Sequence, residues 1–246
     1  MERDGYVYFP NFLDADEIAE LRTIAHNLDP IAENFDIDMS VEANGHMQKC
    51  INAVFNRDPL FLKYLDKPGM IELAEAVHGS DGHIVSMHTW LVGAGRPDQD
   101  LHADWQPFTL PADVLANPRV RLPIFITTAH IYLDDMTEEL GPTKLIPGSH
   151  RAGQKPNGAR EWNGKNEQSF LGKAGDCIFF RSEIWHRGAA NRSDQIRHTF
   201  MVHYAHRMIT QKFPPYLDFR YNPDVIAAAT PRQRRLLGKH AQSNYD

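Results

Sequence analysis

The sequence predicts a mainly β fold with flanking helices, in which two sheets form a cupin-like jelly roll (a double-stranded β-helix). From residue 83 onward, short β-rich runs alternate with turn residues, as they do in sandwiches and jelly rolls. Before that point apolar residues recur at helical spacing, which predicts helices packed outside the sheets. At 246 residues the chain suits a single domain, 1–246. We divide it into an N-terminal support (1–80), a jelly-roll core (81–210) and a C-terminal helical tail (211–246).

The N-terminal support is predicted to hold two strands and three helices. Asp14 begins the first helix, because Glu17 stands three residues later, which is the spacing of a capping box. The predicted elements in chain order are a strand at Gly5–Phe9, the helix that ends before Pro30, a loop at 31–45, a strand at His46–Phe55, and helices at 58–67 and Met70–Val77.

The core is predicted from β-rich runs bounded by Gly and Pro turns. Its strands are His83–Val92, the segment around His102, Leu122–Leu133, a short strand within Gly141–His150, a buried strand ending at Phe180, and Arg197–His206. Residues 106–119 hold three prolines and little periodicity, which favours a mobile flap, and 151–166 favour a surface loop. In the tail, Thr230 as N-cap and Gly238 as stop predict a short basic helix.

Composition excludes several classes of protein. Lys plus Arg number 26 and Asp plus Glu 32, so the net charge is −6 and the basic surface of a general nucleic-acid binder is lacking. No run approaches membrane-spanning length, and no signal-peptide core follows Met1. Cys50 and Cys177 are too few for a disulfide scaffold and fit a reducing compartment. We expect a soluble, cytoplasmic protein, a monomer or homo-oligomer, that acts on a small molecule without binding nucleic acid or membrane.

The residues with the clearest chemistry lie in Leu101–Trp105. His102 and Asp104 are two residues apart, so on an extended strand both side chains leave the same face. One imidazole and one carboxylate are two thirds of a 2-His-1-carboxylate triad, which binds Fe(II) and leaves other coordination positions open. His186 is placed to supply the third ligand. Arg197 then offers a guanidinium that suits bidentate binding of a carboxylate, so the pattern indicates a non-haem iron oxygenase.

A His-x-Asp pattern alone arises by chance, and 13 histidines raise that chance, but the order of motifs is more restrictive. The chain resembles the phytanoyl-CoA dioxygenase-like (PhyH) family of Fe(II)/2-oxoglutarate-dependent oxygenases. The resemblance covers most of the chain. Its motifs are the opening Gly5–Leu13, Leu101–Trp105, Gly141–His150, Gly175–Phe180, Trp185–Asn191, Arg197 and His203–Ala205.

The resemblance implies a set of cofactor roles. The metal ligands, which are also the catalytic centre, would be His102, Asp104 and His186. The co-substrate 2-oxoglutarate would chelate the iron and place its distal carboxylate on Arg197, with O2 as the second co-substrate. Relatives that halogenate carry a small residue in place of the carboxylate, so Asp104 favours oxygen insertion.

Five further positions are candidates, each with an ordinary structural alternative. Gln99 and Thr143 match positions that contact the co-substrate in the family. The ordinary alternative is a local hydrogen bond for Gln99 and a threonine at the start of a strand for Thr143. Lys49 (or Gln48) on the early strand could reach the same carboxylate, with solvent exposure as the alternative. Trp105 and Phe108 follow the ligand segment and are expected to wall the substrate or to pack in the core. His150 is expected not to be a fourth ligand, because a fourth ligand would block the open positions.

The resulting expectation is a dioxygenase that hydroxylates, or otherwise oxidises, an unactivated C–H bond of a natural-product or other secondary-metabolite intermediate. A lipid or acyl thioester substrate is one alternative. Another is a non-catalytic scaffold or a cupin-like metalloprotein on the same fold. Desaturation, cyclisation and epoxidation would use the same residues, and neither the substrate nor the role of the basic C-terminal helix follows from the sequence.

Overall fold

The architecture is known from a computed structural model that describes residues 1–28, 48–106, 108–117 and 119–242. The strands are β1 (Tyr6–Phe9), β2 (Gln48–Asn52), β3 (His83–Val92), β4 (Ile126–Tyr132), β5 (Thr143–Leu145), β6 (Glu161–Trp162), β7 (Lys165–Asn166), β8 (Gln168–Ser169), β9 (Cys177–Arg181), β10 (His186–Gly188) and β11 (Arg197–Ala205). The α-helices are α1 (Ala15–Asn27), α2 (Met70–His78), α3 (Ala112–Ala116), α4 (Pro223–Ala228) and α5 (Pro231–Leu236). Single turns of 3-10 helix lie at Val54–Asn56, Ser149–Arg151 and Tyr216–Asp218, and a longer one at Pro59–Tyr64.

Two antiparallel sheets form the predicted jelly roll. The larger sheet has six strands in the order β1-β9-β4-β11-β3-β2, and the smaller has the order β10-β5-β8. A separate hairpin joins β6 to β7. A cavity between the sheets is lined by residues of β3, β4 and β11 on one side and of β5 and β10 on the other. Mainly antiparallel sheet with a few helices confirms the predicted fold class.

The larger sheet has one apolar and one polar face because side chains alternate along each strand. On β11, Phe200, Val202 and Tyr204 belong to the main hydrophobic core, whereas Thr199 and His203 line the cavity. The same alternation on β3 and β4 continues both faces across the sheet. One face of the larger sheet therefore lines a polar cavity, and its other face packs against the hydrophobic core.

Helices from both ends of the chain cover the apolar face. Leu21 of α1, Met70 of α2, Val225 of α4 and Leu236 of α5 belong to the same buried cluster as the core face of β11. The predicted capping box is present: the Asp14 side chain accepts from the amide of the N3 residue of α1, and the N3 side chain accepts from the amide of Asp14. The described residues contain no helix long and apolar enough to cross a membrane.

Several element predictions need correction. The predicted helix at 58–67 is a 3-10 helix, Pro59–Tyr64. The irregular stretch 106–119 contains the short helix α3, and the predicted surface loop 151–166 holds the β6–β7 hairpin. Helix α4 has no counterpart in the prediction, although Asn222 caps it. The predicted loop at 31–45 and the start of the predicted strand at His46 lie outside the described residues.

Gly141 packs against the backbone beside the cavity. Its φ is +82°, and a Cβ there would lie 2.5 Å from the carbonyl oxygen of Ala190. Gly158 has a similar φ of +89° with open space around it. We expect Gly141→Ala to lower the free energy of unfolding by roughly 3 kcal/mol or more, since strain and clash add. Gly158→Ala should cost only the backbone strain, about 1–2 kcal/mol. Urea unfolding of both variants checks this, and equal losses would contradict the clash.

Two buried histidines outside the site make stability depend on pH. Nε2 of His78 lies 2.8 Å from Oγ1 of Thr127, and Nε2 of His150 lies 3.2 Å from the carbonyl oxygen of Glu2. Burial lowers the pKa of each imidazole from 6.5 to about 4. Between these values the unfolded chain binds protons that the folded protein does not, so stability falls as pH drops from 6.5 towards 4.

We therefore expect each of His78 and His150 to contribute a loss of roughly 1–2 kcal/mol in the free energy of unfolding at about pH 5. Urea unfolding at several pH values measures the loss. The His150→Gln variant should show a shallower dependence, because it lacks one of the buried imidazoles that bind a proton on unfolding. A slope unchanged by that substitution would contradict the assignment.

Candidate active site

The three predicted metal ligands come from two extended segments that lie side by side. The amide of His102 donates to the carbonyl of His186 at 2.9 Å, and the amide of His186 donates to the carbonyl of His102 at 2.8 Å. This antiparallel bridge adds the His102 segment to the edge of the smaller sheet, next to β10. Asp104, two residues on, turns its carboxylate towards both imidazoles.

The loop that precedes His102 is fixed to β10 by side chains. Oε1 of Gln99 accepts from the amide of Gly188 at 2.7 Å. Asp98 forms an ion pair with Arg187 and also accepts from the amide of Ala190 at 3.0 Å. Gln99 also lines the cavity. Its side chain thus forms a local structural hydrogen bond, which was the alternative to contact with the co-substrate.

Hydrogen bonds to the main chain orient both imidazoles of the cluster. Nδ1 of His102 donates to the carbonyl of Asp100 at 2.7 Å, and Nδ1 of His186 donates to the carbonyl of Ile184 at 2.9 Å. Because Nδ1 is held as a donor in each ring, loss of the proton on Nε2 leaves the lone pair of that atom free to bind a metal. Each Nε2 lies 3.5 Å from Oδ1 of Asp104.

The carboxylate of the cluster is ionised and partly open to solvent. Burial raises the pKa of Asp104, but the imidazoles of His186 and His102 outweigh burial and hold that pKa well below its usual value. The side chains of His102 and Asp104 are 37% and 34% exposed, whereas that of His186 is 10% exposed. The cluster is therefore accessible from the side of His102 and Asp104.

These donors fit a divalent transition metal. The three ligand atoms lie within 4.8 Å of one another. Two neutral imidazole nitrogens and one carboxylate oxygen are the donor set of the facial triad, which binds Fe(II) with positions left open. His150 lies apart, with its Nε2 on the carbonyl of Glu2, as expected for a residue that is not a fourth ligand.

A cavity of about 240 Å³ is lined by the three triad residues and also by Arg197. We call it the inner cavity. Arg197 donates to the carbonyl of Gly141 and, at 3.4 Å, to that of Ala189, and its Nε has no hydrogen-bond partner among the described residues. Burial lowers its pKa to about 10, so the guanidinium remains a cation at neutral pH. Within the described ranges no carboxylate forms an ion pair with it, which leaves a charge available for an anionic ligand.

The two remaining residues predicted to bind the co-substrate, Thr143 and Lys49, differ in whether they line the inner cavity. Thr143 is buried at the start of β5 and lines the inner cavity. Lys49 does not line it, because its ammonium donates to the carbonyl of His26 at 3.1 Å. The structure thus does not bring Lys49 to the site. A different cation, Arg96, lines the cavity and donates from Nε to Gln48 at 2.9 Å.

The two predicted substrate residues lie near each other but differ in position. The ring of Trp105 packs on Phe125 with centroids 4.6 Å apart and also lines a second cavity, described below. The ring of Phe108 contacts the same Phe125 ring, with centroids 6.0 Å apart. Phe108 is 40% exposed and lines neither of the two cavities beside the triad.

Three further histidines line the inner cavity. His88, His130 and His203 project from β3, β4 and β11 towards the triad. Burial lowers the pKa of His88 to about 3 and that of His203 to about 4, and it holds that of His130 well below its usual value. They are neutral hydrogen-bonding groups. Nδ1 of His88 and Nε2 of His130 have no partner in the described part of the chain.

The combination of fold and site defines a class of protein. The two sheets of a jelly roll hold two histidines and a carboxylate beside a half-buried arginine that has no carboxylate partner in the described ranges. This arrangement is that of the 2-His-1-carboxylate metal-dependent oxygenases.

Comparison with known proteins narrows the class to a family. The family model for phytanoyl-CoA dioxygenase (PhyH) matches residues 1–199, so the chain belongs to this dioxygenase family and is an oxidoreductase. This confirms the resemblance seen in the motifs.

Curated relatives agree with the assignment. A probable phytanoyl-CoA dioxygenase of Caenorhabditis elegans is 24% identical over 83% of this chain and 72% of its own length. The L-proline trans-4-hydroxylase of Streptomyces griseoviridis is 23% identical over 94% of both chains. Among solved structures, the epimerase SnoN in complex with Fe3+, alpha ketoglutarate and nogalamycin RO superposes with a TM-score of 0.66. It is 22% identical and covers 89% of this chain and 86% of its own, and this likeness shows the shared fold.

Proposed function

We propose that this protein is an Fe(II)- and 2-oxoglutarate-dependent dioxygenase that oxidises an unactivated C–H bond of a small molecule. The observation that carries the proposal is the pairing, at one cavity, of a His-Asp-His cluster with Arg197, a half-buried cation without an ion pair to any described residue. A dicarboxylate that chelates the metal through one end would offer its other carboxylate as the anionic partner of Arg197.

Each residue then has a defined role. His102, Asp104 and His186 hold the iron, and the main-chain bonds to both Nδ1 atoms keep the imidazoles aimed at it. Arg197 binds the distal carboxylate of 2-oxoglutarate, while Thr143 and Arg96 face the same cavity. Bound iron, 2-oxoglutarate and O2 together supply the oxidising power, with release of succinate and CO2. The neutral imidazoles of His88, His130 and His203 add no charge next to the metal.

A natural-product intermediate is the substrate class that we favour. SnoN is from nogalamycin biosynthesis, and another relative is an L-proline trans-4-hydroxylase, so two proteins similar to this chain act on small-molecule metabolites. The site belongs to one jelly-roll domain, which we place at 81–210 between the support and the tail.

An anaerobic titration tests the proposal without knowledge of the substrate. The apoprotein is mixed with Fe(II) and 2-oxoglutarate, and the weak visible charge-transfer band of a chelated keto acid is recorded. A band that needs both additions supports the dioxygenase. Iron binding without a band would support a cupin-like metalloprotein or a scaffold, and succinate formation in the presence of O2 separates the dioxygenase from both.

A further inference from the structure

A second cavity also borders the triad carboxylate. Its volume is about 370 Å³, and we call it the outer cavity. It shares three wall residues with the inner cavity, namely His88, Asp104 and His203. Asp104 therefore faces both chambers, and a ligand in the outer cavity lies next to the metal site.

The two cavities follow one face of β11. Arg197 and His203 are six residues apart in sequence, and residues at even spacing share a face. At about 3.4 Å per residue they are separated by roughly 20 Å. Since the proposed co-substrate occupies the Arg197 end, the His203 end is left for the molecule that is oxidised.

The wall of the outer cavity has an apolar and a polar part. Val85, Ile126, Trp105, Pro214 and Tyr216 provide apolar and aromatic surface. The polar part contains Ser86 and His203, whose Oγ and Nδ1 atoms are 2.9 Å apart. A space of this size and composition fits a metabolite with an apolar or ring body.

One cation borders the outer cavity. Among the described residues that line it, Lys212 is the single lysine or arginine, and Asp104, committed to the metal, is the single carboxylate. The amide of Lys212 donates to the carbonyl of Val85 at 2.8 Å, which fixes its backbone beside β3. In the part of the chain that the structure describes, no hydrogen bond or ion pair involves its ammonium group.

We propose that the outer cavity binds the substrate to be oxidised, and that this substrate carries a compact anionic group, a carboxylate or a phosphate, bound by Lys212. Trp105 and Tyr216 pack against the body of the substrate, and the anion at Lys212 fixes which C–H bond points at the metal. This inference rests on the proposed dioxygenase function and specifies its substrate class.

The test uses the holoenzyme with Fe(II), 2-oxoglutarate and O2, and measures succinate formation. The panel consists of matched pairs: amino acids and aromatic acids with their carboxamides, and phosphate monoesters with their parent alcohols. We expect at least one acid or phosphate to stimulate succinate formation above its neutral partner, and the pair that responds identifies which anion is recognised. A panel in which no anion exceeds its neutral partner overturns the proposal.

Variants then assign the effect to one side chain. For the stimulating anion, Lys212→Met should raise KM by roughly 10- to 100-fold, as expected for loss of a charged hydrogen-bond partner. Lys212→Arg should restore most of the affinity because it keeps the charge. Lys155→Met, which removes an exposed lysine that lines neither cavity, is the matched control. An unchanged KM in Lys212→Met would mean that this lysine is only solvated.

The charge-transfer band keeps the two proposals apart. If the wild-type protein shows no band with Fe(II) and 2-oxoglutarate, the dioxygenase function itself fails. If the band is present but neutral compounds stimulate as well as anions, only the substrate inference fails. The band in Lys212→Met reports whether its cofactor site is still assembled.

Discussion

Replacement of Arg197 by alanine is expected to weaken 2-oxoglutarate binding by roughly 100-fold or more. The guanidinium lines the inner cavity and has no carboxylate partner among the described residues, so an anion bound there would lose its compensating charge. Titration of the charge-transfer band with 2-oxoglutarate measures the apparent Kd. Arg197→Lys should recover part of the affinity, since an ammonium supplies charge without the fork geometry of a guanidinium.

Arg232→Ala is the matched control for this prediction, because it removes a half-exposed arginine of the tail. Since Arg197 also donates to the carbonyl of Gly141, circular dichroism should establish that the Arg197 variants are folded. A variant that is folded, binds iron and retains its affinity for 2-oxoglutarate would contradict the role of Arg197. Such a result would favour the cupin-like alternative, in which no keto acid is used.

Replacement of Asp104 by alanine is expected to weaken Fe(II) binding by at least roughly 100-fold, since even residues that only orient metal ligands cost 10- to 100-fold. The variant loses the one anionic donor of the cluster and keeps two neutral imidazoles. Anaerobic equilibrium dialysis with Fe(II) measures the loss directly, and the charge-transfer band should disappear at iron concentrations that saturate the wild-type protein.

Asp100→Asn provides a control in the same segment. Its side chain is exposed, whereas its carbonyl, which accepts from His102, is kept by the substitution. We expect iron binding close to that of the wild type. Equal losses in the Asp100 and Asp104 variants would indicate that the segment as a whole, rather than one carboxylate, had been disturbed.

The sequence was sufficient to predict the triad because period-two spacing fixes the face of a strand. His102 and Asp104 share a face in any extended conformation, and the restrictive order of later motifs selected His186 and Arg197. The two-sheet fold was predicted from the alternation of short β-rich runs with turn residues. The capping box at Asp14 was predicted from the local spacing of its two residues.

Lys49 illustrates what such spacing does not determine. Pairing of β2 with β3 sets Gln48 opposite Val92, which lines the inner cavity, and Lys49 opposite Leu91, which is buried away from it. A shift of one residue in register exchanges the two faces, and register depends on the partner strand. Nothing within the β2 segment alone distinguishes these arrangements.

The cavity histidines were missed for a related reason. His88 and His130 each pair with Met201 in the register of the central strands, so three strands converge on one part of the cavity. Their roles depend on which face of the sheet is covered by helices, and that is a tertiary property. Lys212 follows the last core strand in a segment without regular structure, where no periodicity predicts a direction for its side chain.

The partial exposure of His102 and Asp104 bears on which metal the protein holds when it is isolated. A preoriented pair of imidazoles with one carboxylate also binds Co(II), Ni(II) and Zn(II), and the general order of stability places these metals above Fe(II). An ion bound at an open rim can exchange with the medium. The metal content of a purified sample would therefore reflect the supply of metals during growth and purification, and an inactive preparation can be mismetallated without any fault in its fold.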